Sequence, residues 1–240
     1  MEQEQLFLIN SVYRATEGEG VFLGTPQIFI RYQGCTIGCV NCDSKDTWAF
    51  DKSSEKTWNE VLAMVELERS THPVKRLSIT GGDPLHPKFE AGVLALAHHF
   101  RSRGFFINLE ASGQRIVASI FDCIDYISFD FKTPSTGVKG RPELIVELAK
   151  KFPKKFQIKS VAQDLLDFQS VVQAYRQVQS SLSEEQMNFP WVITPAFNPG
   201  EEIPRQLILQ LMEANDRLGG PFRIIGQQHK FIHGPDVKNV

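Results

Sequence analysis

The sequence has few cysteines, almost no net charge and no long apolar run. Four cysteines in 240 residues are too few for a disulfide-stapled secreted scaffold. The 26 basic and 28 acidic residues give a net charge of −2, whereas proteins that bind nucleic acid through bulk charge are usually strongly basic. The longest apolar runs, 61–65 and 93–97, are far shorter than the roughly 20 residues of a membrane-spanning helix. We therefore expect no nucleic-acid partner and no membrane partner.

The N-terminal residues 1–5 are polar and acidic. They carry no basic segment, and the apolar stretch of a secretory signal peptide does not follow them. The 42% of hydrophobic residues is ordinary for a globular protein. We therefore expect a cytoplasmic protein, in which cysteines are reduced or bound to metal rather than paired.

Strand-like and helix-like segments alternate along most of the chain. This alternation is typical of a parallel sheet built from βαβ units, in which ligands bind beyond the carboxyl ends of the strands. Because no change of composition marks a linker, we expect one α/β domain over residues 1–240. The predicted strands are 27–33, 76–80, 105–110, 126–131, 155–161, 188–194 and 222–225, and the predicted helices are 57–69, 88–102, 142–151, 165–180 and 204–218.

Three of the four cysteines lie together directly after the first of these strands. Cys35, Cys39 and Cys42 have the spacing C-x3-C-x2-C and define a loop over about 34–45, which we call the cluster loop. Three thiolates can hold three corners of a [4Fe–4S] cluster and leave one iron open for chemistry. The remaining Cys123 lies in an apolar run and is predicted to be a core thiol. A zinc site completed by a distant histidine remains an alternative.

The cysteine spacing resembles that of the radical S-adenosylmethionine (SAM) superfamily. In that superfamily the open iron binds SAM, and an electron from the cluster cleaves SAM to a 5′-deoxyadenosyl radical. Residues 80–84, Thr-Gly-Gly-Asp-Pro, follow the next strand and resemble the Gly-Gly-Glu-Pro segment of the superfamily, with Asp83 in place of Glu. The resemblance implies a single-domain, partial (incomplete) TIM-like βα barrel of the radical SAM type.

Further segments resemble one family within that superfamily, the 7-carboxy-7-deazaguanine synthases of the queuosine pathway. They occur in the family's order from near residue 16 to near residue 235, although Glu17 stands where most members have Gln. The matching segments are Thr-Glu-Gly-Glu-Gly at 16–20, Phe-Ile-Arg at 29–31, Cys-Asp-Ser at 42–44, Leu-Glu-Ala-Ser-Gly at 109–113, Asp-Phe-Lys-Thr-Pro-Ser at 130–135 and Gln-Gln-His-Lys at 227–230.

This resemblance implies a lyase that converts 6-carboxy-5,6,7,8-tetrahydropterin into 7-carboxy-7-deazaguanine. A hydrogen atom is taken from C6 of the pterin, the ring contracts, and ammonia leaves. The implied cofactors are a [4Fe–4S] cluster, SAM and Mg²⁺, and the implied partners are a reductant such as flavodoxin or ferredoxin and a second copy of the chain. A C-terminal segment over about 222–240 is expected to contribute to the substrate pocket.

The resemblance also assigns roles residue by residue. Cys35, Cys39 and Cys42 are expected to bind the cluster, and Ser44 to bind Mg²⁺. The expected SAM contacts are Asn41, Cys42, Asp43, Gly82, Asp83, Glu110, Ser128 and Lys132. The expected substrate contacts are Thr16, Glu17, Gly18, Arg31, Thr80, Gln227, His229 and Pro235. The planar guanidinium of Arg31 suits the substrate carboxylate, which it can bind through two hydrogen bonds.

Two other functions remain open from the sequence. Activases of glycyl-radical enzymes are also short and share the cysteine spacing, but they act on a protein partner and lack the segments at 16–20 and 227–230. A non-enzymatic zinc-binding module would use the same cysteines without SAM. The presence of an iron–sulfur cluster separates this module from both enzymes.

Overall fold

The apolar strand segments pair into one mainly parallel sheet. The computed structural model describes residues 7–240, so the polar residues 1–5 lie outside the described part. The strands are β1 (Phe7–Thr16), β2 (Pro26–Tyr32), β3 (Glu55–Lys56), β4 (Arg76–Gly81), β5 (Phe106–Ala111), β6 (Tyr126–Asp130), β7 (Phe156–Ala162), β8 (Trp191–Pro195) and β9 (Arg223–Ile224). The helices are α1 (Trp58–Arg69), α2 (Glu90–Arg101), α3 (Ala118–Cys123), α4 (Pro142–Lys151), α5 (Leu165–Gln179), α6 (Arg205–Asp216) and α7 (Gln228–His233).

Within the described residues the sheet has nine strands in the order β3-β1-β2-β4-β5-β6-β7-β8-β9. Each neighbouring pair from β2 to β9 is parallel, whereas β1 runs antiparallel to β2 and to β3. Helices connect most of the parallel strands, as crossover connections require. The predicted α/β class with a partial TIM-like barrel is confirmed, and the carboxyl ends of seven parallel strands lie at one edge of the sheet.

Local signals in the sequence explain most element boundaries. The predicted helix 142–151 is α4, with Pro142 in its first turn. Helix α1 begins with a capping box, in which Thr57 Oγ1 accepts the Glu60 N–H at 3.2 Å and Glu60 Oε2 accepts the Thr57 N–H at 2.7 Å. The predicted strand 188–194 was placed too early, because β8 begins only at Trp191.

Strands β1 and β3 and helices α3 and α7 are not indicated by the sequence patterns. Strand β1 contains Asn10, Ser11 and Arg14, and its register with β2 shifts between Ile9 and Ser11, so it lacks a clean apolar alternation. The two helices have only six residues each, which is too short for a helical period to be recognised.

The core lies between the sheet and its covering helices. Fully buried aliphatic side chains in the strands pack against buried faces of α1, α2, α4 and α5. Cys123 is 6% exposed and its thiol donates to the Ile120 carbonyl at 3.2 Å, which confirms that it is a core thiol. None of the described helices is long and apolar enough to cross a membrane. The sheet is thus a rigid base that fixes the loops at its carboxyl edge.

Candidate active site

A cavity of about 850 Å³ opens at the carboxyl edge of the sheet. Its wall combines the cluster loop, the ends of strands β1, β2 and β4–β7, the segment after β8, and α7 with the residues that follow it. The structure therefore brings together residues that are far apart in the sequence. The predicted site residues that line the cavity are Thr16, Glu17, Gly18, Arg31, Cys35, Cys39, Asn41, Cys42, Asp43, Ser44, Thr80, Gly82, Glu110, Lys132, Gln227, His229 and Pro235.

The three thiols of the cluster loop are half-buried, and none is in a disulfide. Two of them accept backbone N–H groups at 3.4 Å, from Ile37 to Cys35 Sγ and from Ser44 to Cys42 Sγ. Burial raises the pKa values of Cys35 and Cys39, and Lys132 only partly offsets this at Cys39, so an additional positive charge would favour the thiolate forms. Bound iron supplies such a charge, and N–H···S bonds are one of the means by which proteins adjust iron–sulfur clusters.

Three thiols at positions 35, 39 and 42 of one loop suit a cluster of several irons in their chemistry and their sequence spacing. Among residues 7–240, no three His, Cys, Asp or Glu side chains converge on a point that could hold a single metal ion. A [4Fe–4S] cluster takes each thiolate on a different iron, so its ligands do not have to converge in this way. Gly34 and Gly38 adopt φ values of 126° and 75°, which favour glycine and let the loop fold back. The residues present therefore fit the cluster.

The floor of the cavity is formed by Glu19, Glu110 and Lys159. The ammonium of Lys159, on β7, lies 2.9 Å from Glu110 Oε2 and 3.1 Å from Glu19 Oε2. Gln227 Nε2 donates to the other oxygen of Glu19 at 2.7 Å, and Asn108 Nδ2 donates to Glu110 Oε1 at 2.7 Å. These contacts join strands β5 and β7 and the segment after β1 to the C-terminal segment, and they hold the charged groups in place without a ligand.

The charges of the floor stabilise one another. Burial opposes ionisation of Glu19, but Lys159, His229 and the hydrogen bond from Gln227 together lower its pKa to about 2. Burial likewise disfavours the charged form of Lys159, yet Glu110 and Glu19 raise its pKa well above the usual range. Both groups are therefore ionised at neutral pH, although both are largely removed from water.

Glu17 is a titratable group of the cavity whose pKa lies near neutral pH. It is 8% exposed, and its two carboxylate oxygens accept hydrogen bonds from Gln27 Nε2 at 2.7 Å and from the Glu19 N–H at 3.1 Å. Burial and the nearby Glu110 carboxylate raise the pKa of Glu17 to about 7, and the effect of Lys159 only partly offsets this. Glu17 can therefore change its charge, and with it the number of hydrogen bonds it accepts, near neutral pH.

Arg31 also lines the cavity, near the end of β2. Its guanidinium donates to the Tyr13 hydroxyl at 2.7 Å and to Ser44 Oγ at 3.3 Å, while Ser44 Oγ donates to Asp43 Oδ1 at 2.9 Å. The ring of Tyr13 stacks on Phe29 with centroids 5.1 Å apart, so Arg31 rests on a rigid aromatic support. A guanidinium held in this way can bind a ligand carboxylate.

The segment at 16–20 and helix α7 are closely fitted together. The Gln228 N–H donates to the Gly18 carbonyl at 2.9 Å, and a Cβ on Gly18 would lie 2.0 Å from His229 Nδ1. Any larger residue at position 18 would displace His229. The next residue, Lys230, is 7% exposed and donates to the Phe197 carbonyl at 3.1 Å, which fixes α7 beside the segment after β8.

Two predicted SAM contacts lie behind the wall and are not among the described residues that line the cavity. Asp83 is 3% exposed, and its Oδ1 accepts the Leu85 N–H and the Ser112 hydroxyl, each at 3.3 Å. Ser128 is 1% exposed and accepts Gln157 Nε2 at 2.8 Å. Each carries hydrogen bonds that shape the wall, and a direct contact with SAM stays a prediction.

The cavity also contains residues that the sequence did not single out as site residues, among them Tyr13, Glu19 and Lys159. A signal was available for Lys159, because it is a lone charge in the otherwise apolar or uncharged strand β7. Residues 235–240 also line the cavity, and Lys238 pairs with Asp46 beside the cluster loop. Part of the C-terminal segment over about 222–240 thus lines the cavity, and its contribution to a substrate pocket stays a prediction.

Comparisons with a family model and with solved structures support the fold and the position of the cluster loop. A family model described as a 4Fe-4S single cluster domain matches residues 16–117, which include the cluster loop. The crystal structure of QueE from Escherichia coli superposes with a TM-score of 0.67 at 21% identity, over 93% of this chain and 95% of that one. The structure of Streptococcus suis SuiB superposes with a TM-score of 0.53 at 14% identity, over 85% of this chain and 50% of that one. Both likenesses show the fold.

Curated relatives extend the comparison to the whole sequence. The 7-carboxy-7-deazaguanine synthase of Koribacter versatilis is 27% identical over 97% of this chain and 99% of its own length. The protein of the same name from Pyrobaculum aerophilum is 30% identical over 68% of this chain and 72% of its own length. With the cluster loop, the partial barrel and these relatives in agreement, the chain belongs to the 7-carboxy-7-deazaguanine synthase family.

Proposed function

We propose that this chain converts 6-carboxy-5,6,7,8-tetrahydropterin into 7-carboxy-7-deazaguanine and releases ammonia, which makes it a lyase. The observation that carries the proposal is the cavity itself, which places the three thiols, Arg31 and the floor of Glu19, Glu110 and Lys159 around one volume of about 850 Å³. Cavities of roughly 300–1,000 Å³ are typical of small-molecule sites, so SAM and a pterin can lie side by side.

Cys35, Cys39 and Cys42 are proposed to hold the [4Fe–4S] cluster. Together with SAM, the bound cluster supplies the radical that removes a hydrogen atom from C6 of the substrate. The wall next to the cluster loop offers backbone and charged groups to the amino and carboxylate ends of SAM. The proposed SAM contacts are Asn41, Cys42, Asp43, Gly82, Asp83, Glu110, Ser128 and Lys132.

The remaining residues are proposed to orient the pterin. Arg31 binds the 6-carboxylate through its guanidinium, and the carboxylates of Glu17 and Glu19 accept N–H groups from the amino-pyrimidinone edge. The two walls therefore bind opposite ends of the ring system and fix C6 between them. Thr16, Gly18, Thr80, Gln227, His229 and Pro235 are proposed to complete the pocket.

Mg²⁺ is proposed to bind at Ser44. Its hydroxyl lies 2.9 Å from Asp43 Oδ1, so hard oxygen donors are available at this point of the cavity. Mg²⁺ in enzymes often takes only one or two protein oxygens and completes its shell with substrate and water. The 6-carboxylate of the substrate, held by Arg31, would lie next to this site because Arg31 contacts Ser44.

The wider organisation is proposed from the family resemblance. One domain over residues 1–240 would carry the whole activity, with a reductant such as flavodoxin or ferredoxin as electron donor and a second copy of the chain as partner. The alternative of a glycyl-radical activase is not favoured, because curated relatives that match almost the full chain are named as synthases.

The test is reconstitution under anaerobic conditions with iron, sulfide, SAM, Mg²⁺, a reductant and the carboxytetrahydropterin. We expect 7-carboxy-7-deazaguanine and ammonia in equal amounts, with SAM not consumed, and a lower rate without Mg²⁺. A protein with a complete cluster that forms no product would overturn the proposal. A glycyl radical formed in a partner protein and detected by electron paramagnetic resonance would favour the activase instead.

A further inference from the structure

Asp167 is a fully buried carboxylate outside the cavity. It lies in the first turn of α5, is 1% exposed, and accepts three hydrogen bonds. The Ser135 N–H donates to Oδ1 at 3.0 Å, while the Ser135 hydroxyl and the Gln163 N–H donate to Oδ2 at 2.6 and 2.9 Å. A buried carboxylate is costly unless its oxygens are satisfied, and here neutral donors satisfy both.

Ser135 belongs to a tight turn at 133–137 that touches the cluster loop. The Val40 N–H donates to the Thr136 carbonyl at 2.9 Å, and Asn41 Nδ2 lies 3.5 Å from Ser135 Oγ. A Cβ on Gly137 would lie 2.8 Å from Val40 Cγ2, so the Val40 side chain packs directly against the turn at this point. Val40 and Asn41 stand between the second and third cysteines, so this turn supports the part of the loop that carries them.

The start of the cluster loop is held differently. The N–H groups of Gly34 and Cys35 donate to the carbonyls of Thr47 and Trp48 at 2.7 and 3.0 Å, so that end is fixed by backbone pairing. The stretch around Val40 is exposed and connects to the turn instead. The position of Cys39 and Cys42 therefore depends on how firmly that turn is held.

We propose that Asp167 is a positioning residue that holds the second and third cluster cysteines in place through Ser135. Its carboxylate binds both the backbone and the side chain of Ser135 and ties them to α5. The inference deepens the proposed function and rests on it, because it concerns the same cluster loop. Asp167 lies outside the cavity and does not contact the cluster loop, but through Ser135 it would keep that loop ordered.

Two variants at the start of α5 separate this role from ordinary helix capping. Asp167→Asn keeps the size but replaces one carboxylate oxygen by an NH₂ group, which cannot accept the bonds from Ser135 and Gln163. Asp164→Ala removes the N-cap, whose Oδ1 accepts the Leu166 and Asp167 N–H groups at 2.8 and 2.9 Å. Both variants weaken the same helix end, but only the first breaks the link to the turn.

The experiment compares hydrogen exchange and cluster retention in the full-length protein. In Asp167→Asn we expect the Val40 amide to exchange on the order of tenfold faster, because its acceptor is no longer held. The cluster should lose iron to a chelator faster, and the KM for SAM should rise more than kcat falls. In Asp164→Ala the melting temperature should fall, with Val40 exchange and iron loss unchanged. Equal exchange and equal iron loss in the two variants would overturn the proposal.

If Asp167→Asn does not fold, Ser135→Ala is used as the second test variant. It keeps the backbone bond to Asp167 and removes the hydroxyl with its bonds to Asp167 and to Asn41. Asn41→Ala is its control, because it removes only the bond to Asn41. Faster Val40 exchange in Ser135→Ala than in Asn41→Ala supports the proposal, and equal exchange overturns it. Exchange and iron loss are measured without turnover. A protein that forms no deazaguanine but shows these differences would contradict the proposed function and leave the role of Asp167 standing.

Discussion

The cluster loop and the floor of the cavity are organised in opposite ways. The floor is complete in the protein alone, since Lys159 pairs with Glu19 and Glu110, and Gln227 occupies the remaining oxygen of Glu19. The three thiols of the loop are half-buried, and burial raises the pKa values of Cys35 and Cys39, so these two thiols are not held ionised by the protein alone. The floor therefore offers a ligand binding groups that are already in place. The loop, in contrast, becomes a functional site only when its cofactor is bound.

This difference predicts different responses to mutation. Changes in the loop should remove the cofactor and leave the folded barrel, because the loop lies outside the core. Changes in the floor should affect stability and substrate binding together, because buried charges there depend on each other. The following predictions test that contrast.

The largest effect is expected from the cluster cysteines. Replacing Cys35, Cys39 or Cys42 by Ala should abolish iron retention and product formation, because each thiolate holds one corner of the cluster. The melting temperature of the protein without cluster should change by only a few degrees. Iron analysis, visible absorbance and product assay measure these effects. The control is Cys123→Ala, which should retain the iron; an iron-free Cys123→Ala protein would contradict the division into three ligands and one core thiol.

Lys159→Met should be the most damaging change in the floor. It leaves Glu19 and Glu110 facing each other without their shared cation, and breaking a buried ion pair costs about 3–5 kcal/mol of unfolding free energy. Urea denaturation measures the loss. Lys151→Met is the matched control, because Lys151 forms an exposed pair with Glu147 on α4 and should cost less than about 1 kcal/mol. Equal losses in the two variants would show that the floor is no more organised than the surface.

Arg31→Lys should weaken substrate binding and leave cluster and fold intact. Lysine keeps the charge but cannot bind Tyr13, Ser44 and a carboxylate in one plane. The lost charge-assisted hydrogen bonds correspond to about 1.5–3 kcal/mol, or a rise in the KM for the pterin of roughly 10–100-fold. Steady-state kinetics and iron content measure both properties. An unchanged KM would exclude Arg31 as the carboxylate ligand.

The smallest effect is expected from Glu17→Gln, and it should depend on pH. Because burial and Glu110 raise the pKa of Glu17 to about 7, the carboxylate gains a proton and loses acceptor capacity as the pH falls through that value. The KM for the pterin should therefore rise below about pH 7 in the unaltered protein. In Glu17→Gln this dependence should disappear, and at pH 8 the KM should be about fivefold higher.

The control for this pH profile is Glu185→Gln. Glu185 is exposed and is not among the described residues that line the cavity, so its loss should leave the dependence of KM on pH unchanged. A profile for Glu17→Gln that matches the unaltered protein would assign the titration to another group.

The features that the sequence predicted are those with local signals. The C-x3-C-x2-C spacing locates the cluster loop, and Pro142 and the Thr57–Glu60 capping box mark two helix starts within a few residues. Strand β1 escaped detection because polar residues interrupt its alternation, although it carries Tyr13 and leads directly into Glu17.

The floor could not be derived from the sequence for a different reason. Lys159 and Glu19 are 140 residues apart, and nothing in either local pattern states that their side chains meet. The buried positions of Asp83 and Ser128 likewise depend on hydrogen bonds to distant residues, which spacing alone does not encode. The family resemblance identified the segments that lie near the cavity. The structure was needed to distinguish the predicted residues that line the cavity from Asp83 and Ser128, which do not.

The bond between Gln227 and Glu19 has a consequence for the order of assembly. It joins groups 208 positions apart, nearly the full span of the chain. Contacts of such long sequence separation form late, because the intervening chain must first be ordered. During synthesis, which proceeds from the N-terminus, the barrel strands and the ion pairs of the floor can form before residue 227 has been made, but the bond between Gln227 and Glu19 cannot. A ribosome-bound chain that lacks α7 would therefore hold the cluster loop without a finished pocket beside it.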